Sequence, residues 1–496
     1  TSGPGATNLI TSVANAHRDS IPMLVITGQV PSGLIGTDAF QETDVLGMTL
    51  GIVKHSYLID DADSLPAIME EAIDLAQSGR PGPVWIDIPK DLLLTDVADA
   101  PLSQPEPRDT ASTDLTEALT MLRAARKPLL YSGGGISLAH AEETFRAFAE
   151  SSALPAVVTL KGIGNPGKHN PYNLGMLGMH GSRAANKAVD ECDLLLVIGA
   201  RLDDRATGKL DGFAPNAKLI HIDADAAEIN KLRDADLAIR GDLNEILTSL
   251  ADALQAEPLA IKEWRKQCRT WYTTGGFHAA DNEEPLAPIT GPAFIRQLSR
   301  IAPDDTVIAC DVGQHQMWVA QHYEFDHPRH HLTSGGLGTM GFGLPAAIGA
   351  QFADPKSTVI NVTGDGSFMM NAQELATIRR YNLPVKLIVM DNQCLGMVRQ
   401  QQELFYNNRE SQINLDDNPD FVAMARAFDI PALHIERTDQ IRRGIETILA
   451  YNGPMLLHVA ISREENVWPI VKPGASNTDM IDETARTAKA SKEQVA

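Results

Sequence analysis

Cysteine is scarce in this chain. Four residues in 496, Cys192, Cys268, Cys310 and Cys394, stand far apart, with no C-x-x-C pair. That excludes a disulfide-stapled scaffold, argues against a thiolate zinc site and suits a reducing cytoplasmic compartment. Long hydrophobic runs are missing too. None reaches the ~18 residues of a membrane-spanning helix, so no membrane partner is expected. Positive charge is in short supply: 42 Lys and Arg against 64 Asp and Glu give a net charge of −22. Such a balance argues against nucleic acid or an anionic membrane surface as partner. No repeat of solenoid type runs through the sequence, and the first residue is Thr1, so a signal or transit peptide stays an open question.

What is present is ordinary globular composition, 43% hydrophobic and 21% charged, over a length that suits about three domains. Short apolar runs recur, each closed by glycine or a polar turn and followed by a helical pattern. They are 21–28 and 82–89; then 127–135, 154–160, 193–200 and 218–225; then 305–313, 357–366, 385–392 and 455–462. Continuous apolar strands alternating with helices predict α/β architecture, with parallel sheets covered on both faces. Three doubly wound domains follow, the first of them incomplete. The expected boundaries are 1–95, 116–255 and 291–474, with linkers at 96–115 and 256–290 and a polar tail or closing arm at 475–496.

The most specific stretch is STVINVTGDGSFMMNAQELATIRRYNLPVKLIVMDNQCLG, residues 357–396. It reads as strand, Gly-Asp-Gly turn, helix and second strand. The 27 residues from Asp365 to Asn392 suffice for a right-handed crossover that sets the two strand ends side by side. Asp365 and Asn392 then offer oxygen to a hard cation such as Mg²⁺, whose shell phosphate oxygens complete. Gly364 and Gly366 let a diphosphate approach the backbone, and Ser367 at the helix start can donate to it. The alternative is a βα turn with a capping Asp and no ligand.

This pattern resembles the thiamine-diphosphate motif, Gly-Asp-Gly followed by Asn after fewer than thirty residues. The motif often ends in Asn-Asn; here it ends in Asp391-Asn392. By resemblance the ligands are Asp365, Asn392 and the main-chain oxygen of Cys394. Further stretches narrow the likeness: SGPGATN (2–8), GQVPSGLIGTDAFQETD (28–44), GRPGPVWIDIPKD (79–91), LGMHG (177–181), GARLDDRATGKL (199–210), GQHQMW (313–318), GLGTMGFGLPAAIGA (336–350) and NPDF (418–421). Together they make the whole chain similar to the catalytic subunits of the acetohydroxyacid synthase (acetolactate synthase) family.

That resemblance implies thiamine diphosphate, Mg²⁺ and FAD as cofactors and small 2-oxo acids as substrates. It implies Gln314, His315, Gly338 and Met370 around the thiamine cofactor, and Met340 as the bulky wedge that bends it. Flavin contacts carry over to Arg80, Gly133, Gly134, Gly135, Thr159, Leu160, Gly178, Met179, His180, Arg201, Asp223 and Asp242, in a Rossmann-like central domain. Gly162 to Gly167 also fits G-x-G-x-x-G, but Pro166 and the loop-like KHNPYN deny it the helix N-terminus that a dinucleotide needs. Arg205 resembles the arginine that reads the second oxo acid's carboxylate, the alternative being an ion pair with Asp203 or Asp204. Lys90, Phe40 and Gln41 match channel positions; for Phe40 and Met340 plain packing is the alternative.

The expected reaction is decarboxylation of pyruvate and condensation with a second pyruvate or with 2-oxobutyrate. Two departures stand out. The glutamate that protonates the pyrimidine in the family matches a place upstream of Thr1, so the chain is expected to be an N-terminal truncation, and Glu42 matches a different position. Gln401, in MVRQQQ, stands where the family usually has Trp, which predicts weak preference for 2-oxobutyrate. The resemblance further implies a homodimer or dimer of dimers with a small regulatory subunit. A thiamine-dependent decarboxylase or pyruvate oxidase, or a catalytically silent chain, are the competing readings. The histidines of HPRHH, 327–331, are expected on an exposed loop.

Overall fold

The computed structural model describes residues 2–97, 114–275, 277 and 284–483. Most of the stretch read as the first linker, and the end of the tail, lie outside the described residues. The chain divides into two compact units, one of residues up to 111 with 334–339 and one of the remainder.

The first unit carries three parallel strands, β1 (Met23–Gln29), β2 (His55–Leu58) and β3 (Pro83–Pro89), in the order β1-β3-β2. Every residue of β3 is buried, as its unbroken apolar run requires. Asp87 on that strand is the exception in character. It accepts from Thr27 Oγ1 at 2.8 Å and Gln29 Nε2 at 2.9 Å, and burial raises its carboxyl above the usual range. Residues 334–339 pack on the helix Ile10–Arg18 and its end, where both Asp19 oxygens accept from Gly335 and Gly336 N–H groups.

The second unit holds two six-stranded parallel sheets. In the central one, β4 (Pro128–Ser132), β5 (Ala156–Val158), β6 (Asn173–Met176), β7 (Leu194–Ile198), β8 (Lys218–Ile222) and β9 (Leu237–Ile239) run in the order β6-β5-β4-β7-β8-β9. The order reverses between β4 and β7, and ligands of such sheets bind at the carboxyl ends of the strands at that reversal. The last sheet has β10 (Val307–Cys310), β11 (His331–Thr333), β12 (Val359–Gly364), β13 (Lys386–Asp391), β14 (Ala432–Ile435) and β15 (Met455–Ala460) in the order β11-β10-β12-β13-β15-β14. Its reversal lies between β10 and β12. After Gly167 no helix begins; β6 follows at Asn173, in keeping with the rejection of the 162–167 glycines as a dinucleotide turn.

The segment read as tail starts as ordered structure. β16 (Ile470–Val471) pairs antiparallel with β17 (Met480–Ile481), and between them Asn477 Nδ2 donates to Ala206 O at 2.7 Å while Ala475 O accepts from Lys209 N at 2.9 Å. All four cysteines are free and buried. No helix among the described residues is long and apolar enough to cross a membrane.

The expectation of an exposed histidine loop is corrected. Pro328–His330 forms a 3₁₀ turn, His327 and His330 are half-buried, and His331 is a 5% exposed residue of β11 with its ring 4.6 Å from Phe325. Sequence polarity misled because β11 is covered by the central domain, where Lys161 Nζ reaches Thr333 O at 3.1 Å. Burial, with Lys161 nearby, pushes the His331 imidazole down from 6.5 to about 3. The folded protein therefore holds it neutral while the unfolded chain protonates it, so stability is full above about pH 6.5 and is lost as pH falls. The expected slope from this group is roughly 1.4 kcal/mol per pH unit on acidification. Urea midpoints at pH 7 and pH 5 should differ less in His331→Phe than in the unaltered protein.

Candidate active site

At the reversal point of the last sheet the chain gathers acids and amides. β12 and β13 are parallel neighbours with Gly364 opposite Met390, so Asp365 and Asn392 leave adjacent strand ends, as the crossover spacing predicts. Asp365 is 3% exposed and accepts from Asn418 Nδ2 at 2.9 Å. Burial first, then the charge of Asp391, pushes its carboxyl up to about 7. Burial would raise Asp391 as well, but His458 Nε2 at 3.0 Å, the Gln393 N–H and Asp365 hold it below the usual range. Two buried carboxyl groups that cannot both ionise are a place where a divalent cation is electrostatically welcome.

Among the described residues no three His, Cys, Asp or Glu side chains form a metal cage. A cation here must draw on amide, main-chain and ligand oxygens, which is how Mg²⁺ is usually held beside phosphates. Asn392 Oδ1 accepts from Cys394 N at 3.2 Å and Asn392 Nδ2 donates to Gln314 Oε1 at 3.3 Å. Cys394 is buried, and Leu395 N donates to Ile413 O, beyond the helix Gly396–Phe405 that Leu395 opens.

The helix Gln314–His322 starts directly after β10 and its Gly313 turn. Its first side chain is engaged by protein groups: Gln314 Nε2 donates to Gln400 Oε1 at 3.2 Å and Glu465 O at 3.0 Å. His315 is buried with Nε2 unpartnered, and burial lowers its imidazole to about 3. A Cβ on Gly364 would sit 2.9 Å from His315 Nδ1, and one on Gly366 would sit 2.9 Å from Leu395 and 3.6 Å from Met340 Cε. A buried imidazole with Nε2 unpartnered, whose Nδ1 edge lies against the bare Gly364 backbone, fits a diphosphate end. Ser367 differs from expectation in one respect: its hydroxyl donates to Val312 O at 2.8 Å.

Met340 is half-buried beside that turn. Its loop is clamped by Asp311, which sequence reading missed. Asp311 Oδ1 accepts from Gly341 N and Oδ2 from Gly343 N, each at 2.9 Å, from a fully buried position. Gly338 is exposed with φ +71°, and Met370 is 55% exposed. Gln401 lies half-buried on the helix Gly396–Phe405, along a groove of about 450 Å³ with Val398, Phe405 and Tyr406.

The central-domain residues meet at the other reversal point. Gly133 and Gly135 follow β4 and are bare because the Gly199–Ala200 backbone after β7 occupies the space a Cβ would need; Gly134 faces Lys161. Thr159 Oγ1 and His180 Nδ1 are buried without partners, beside Leu160, and burial lowers His180 to about 4. Orphaned polar atoms near that crevice fit a flavin. Gly178 has φ +99°, and a side chain there would collide with the Arg205 carbonyl. Met179 N donates to that carbonyl at 2.9 Å, and Arg205 Nη1 lies 3.3 Å from Met179 Sδ. The turn assigned to flavin thus touches the arginine assigned to the acceptor. Arg205 keeps a loose 3.8 Å ion pair with Asp204 and is 64% exposed, while Asp203 caps its helix. Arg201 O accepts from Tyr131 OH at 3.3 Å, Asp223 accepts from Asp225 N at 2.8 Å, and Asp242 caps the helix Leu243–Ala256.

In the first unit Phe40 is 90% exposed, so plain packing does not explain it. Gln41 has φ +65° and is exposed, as is Lys90, while Arg80 Nε donates to Ser20 Oγ at 2.9 Å. Glu42 accepts from the Gly36 and Ala39 N–H groups, and the Gly36 bond first of all holds it below the usual carboxylate range.

Comparison with known families defines the class. Residues 311–459 match the thiamine pyrophosphate enzyme C-terminal TPP-binding domain, 115–250 the central domain and 1–48 the N-terminal TPP-binding domain. It is a thiamine-diphosphate-dependent enzyme, of a family in which Mg²⁺ and FAD are the usual companions. The isozyme 2 acetolactate synthase large subunit of Escherichia coli K12 is 51% identical over 97% of this chain and 87% of its own length. The isozyme 1 large subunit of the same organism is 44% identical over 97% and 85%, and chloroplastic acetolactate synthase 1 of Zea mays 43% over 97% and 78%. The chain belongs to the acetolactate synthase large-subunit family.

Proposed function

We propose that the protein catalyses the acetolactate synthase reaction. Pyruvate loses CO₂, and its two-carbon remainder joins a second pyruvate to give 2-acetolactate, or 2-oxobutyrate to give 2-aceto-2-hydroxybutyrate. This is the first common step of branched-chain amino-acid biosynthesis. The observation that carries the reading is Asp365 beside Asn392 at the ends of β12 and β13, in a chain similar over 97% of its length to an acetolactate synthase large subunit. Thiamine diphosphate, when bound, supplies the nucleophilic carbon and the electron sink. Asp365, Asn392 and the Cys394 carbonyl hold Mg²⁺ against its diphosphate. Met340 would pack against the cofactor, and His315 would meet its diphosphate end. Thr159, His180 and the 133–135 turn hold FAD. Phe40, Gln41 and Lys90, all exposed in the first unit, are the side chains that this reading assigns to substrate.

Arg205 binds the acceptor's carboxylate, for which a planar guanidinium provides two parallel donors. Removing it should spare decarboxylation and harm condensation. With Arg205→Ala the expected result is a rise of roughly tenfold or more in acceptor KM, with acetaldehyde released in place of acetolactate. Equal loss of both products, or unchanged acceptor kinetics, contradicts the assignment. Gln401 sets acceptor choice: Gln401→Trp should raise the preference for 2-oxobutyrate about tenfold, the worth of one methylene in an apolar pocket. Competition between the two acceptors measures it, and a strong 2-oxobutyrate bias in the unaltered protein contradicts it. The working assembly in this reading is a cytoplasmic homodimer, or dimer of dimers, joined by the small regulatory subunit that the name large subunit implies.

A further inference from the structure

Side-chain amides present a problem of orientation. Their oxygen and nitrogen ends have nearly the same shape and opposite hydrogen-bonding character, so neighbours must decide which end points where. Asn392 serves a cation only through Oδ1. Cys394 N, donating to Asn392 Oδ1 at 3.2 Å, orients the amide locally and leaves that oxygen a second lone pair. A second set of groups acts on the nitrogen end and begins far from it in sequence, at a backbone that cannot flip.

Val467 N donates to Gln400 Oε1 at 2.9 Å, and Gln400 Nε2 donates to Val467 O at 2.8 Å. One residue's main chain therefore fixes both ends of Gln400. The same Oε1 accepts from Gln314 Nε2 at 3.2 Å, and Glu465 O accepts from that nitrogen at 3.0 Å. Gln314 is left with Oε1 for Asn392, whose Nδ2 donates to it at 3.3 Å. Asn392 is thereby left with Oδ1 for the cation. The three amides are buried at 4%, 8% and 0% exposure for Gln314, Asn392 and Gln400. Bulk water cannot rescue a wrong orientation there. A flipped Gln314 would set oxygen against two oxygens and nitrogen against nitrogen.

We infer that Gln400 is a positioning residue: acting through Gln314, it fixes the amide orientation in which Asn392 presents oxygen to Mg²⁺. The inference rests on the reading of Asn392 as a metal ligand. It also assigns different tasks to adjacent residues of one helix. Successive helical side chains point about 100° apart, so Gln401 lies along the acceptor groove while Gln400 serves the metal pole.

The test uses the intact protein with saturating thiamine diphosphate, titrated with Mg²⁺ and read by calorimetry and by the cofactor-induced shift in melting temperature. Gln400→Met keeps the size and removes the hydrogen bonds. It should raise the half-saturating Mg²⁺ concentration about tenfold, the lower end of what outer partners of a metal site contribute. Gln400→Glu retains an acceptor oxygen for Gln314 and for Val467 N but loses the donor to Val467 O, and should recover part of that loss. Gln314→Leu cuts the same relay at its middle and reports the shift independently of whether Gln400→Met folds. The double variant should lose little more than Gln314→Leu alone, because serial contacts are not additive. Unchanged Mg²⁺ dependence in Gln400→Met, equal losses in the Met and Glu variants, or additive losses overturn the inference. Asn392→Ala separates the two layers. If Asn392→Ala binds Mg²⁺ normally, the ligand reading itself fails; if it alone is impaired, only the relay fails.

Discussion

Asp365→Asn should abolish Mg²⁺-dependent binding of thiamine diphosphate while leaving the metal-free protein at least as stable as the unaltered chain. The two effects have opposite causes at one atom group. Asp365 is one of two buried acids at the ends of β12 and β13 and the one read as a cation ligand, and an amide removes its charge. Even outer partners of metal sites contribute about 10- to 100-fold in affinity, so loss of the first carboxylate should exceed roughly a hundredfold. Without the cation that same carboxyl is a liability, because burial and Asp391 both oppose its charge. Asn at this place keeps the shape and removes the repulsion. Calorimetric titration and melting curves, each with and without Mg²⁺, check both halves. A variant that is destabilised without metal and still binds cofactor contradicts the assignment.

Asp311→Ala should be the most damaging single change to stability within the last domain. The carboxylate accepts the Gly341 and Gly343 N–H groups and is itself fully buried. Truncation strands those donors where water cannot reach them, at about 1–3 kcal/mol for each buried unsatisfied group. A loss of roughly 2–5 kcal/mol is expected, read from urea unfolding followed by the fluorescence of Trp318. Because the same bonds hold the Met340 loop, cofactor affinity should fall with stability. Asp311→Asn retains one acceptor oxygen and should lie between the two. An unfolding midpoint that does not move in Asp311→Ala contradicts this account of the loop.

The sequence was legible where both faces of a strand are covered. β3, β4, β7, β12 and β13 are buried at every residue, and each announced itself as a mostly apolar run closed by glycine or a polar turn. Except for β1, edge strands did not. β2, β6, β9, β11 and β14 lie at the margins of their sheets with only three or four residues each, too few for a pattern against the loops beside them. The site divides in the same way. Asp365 and Asn392 were readable because one crossover links them, and its spacing is local. Asp311, His458 and Gln400 act across distances of 30 residues or more, as from Asp311 to Gly341, and no local pattern marks them; Asn418 stands in the NPDF stretch, which gives no hint of its bond to Asp365. His331 shows the converse error: a polar string reads as surface, and only packing against another domain reveals it as core.

The central claim is that this chain joins two 2-oxo acids on a thiamine cofactor. The intact protein, supplied with ¹³C-pyruvate, thiamine diphosphate, Mg²⁺ and FAD, tests it directly when products are followed by NMR. The account predicts 2-acetolactate, with one CO₂ released for every two pyruvates consumed. Acetaldehyde or acetyl phosphate as the main product, or no consumption of pyruvate, would contradict it.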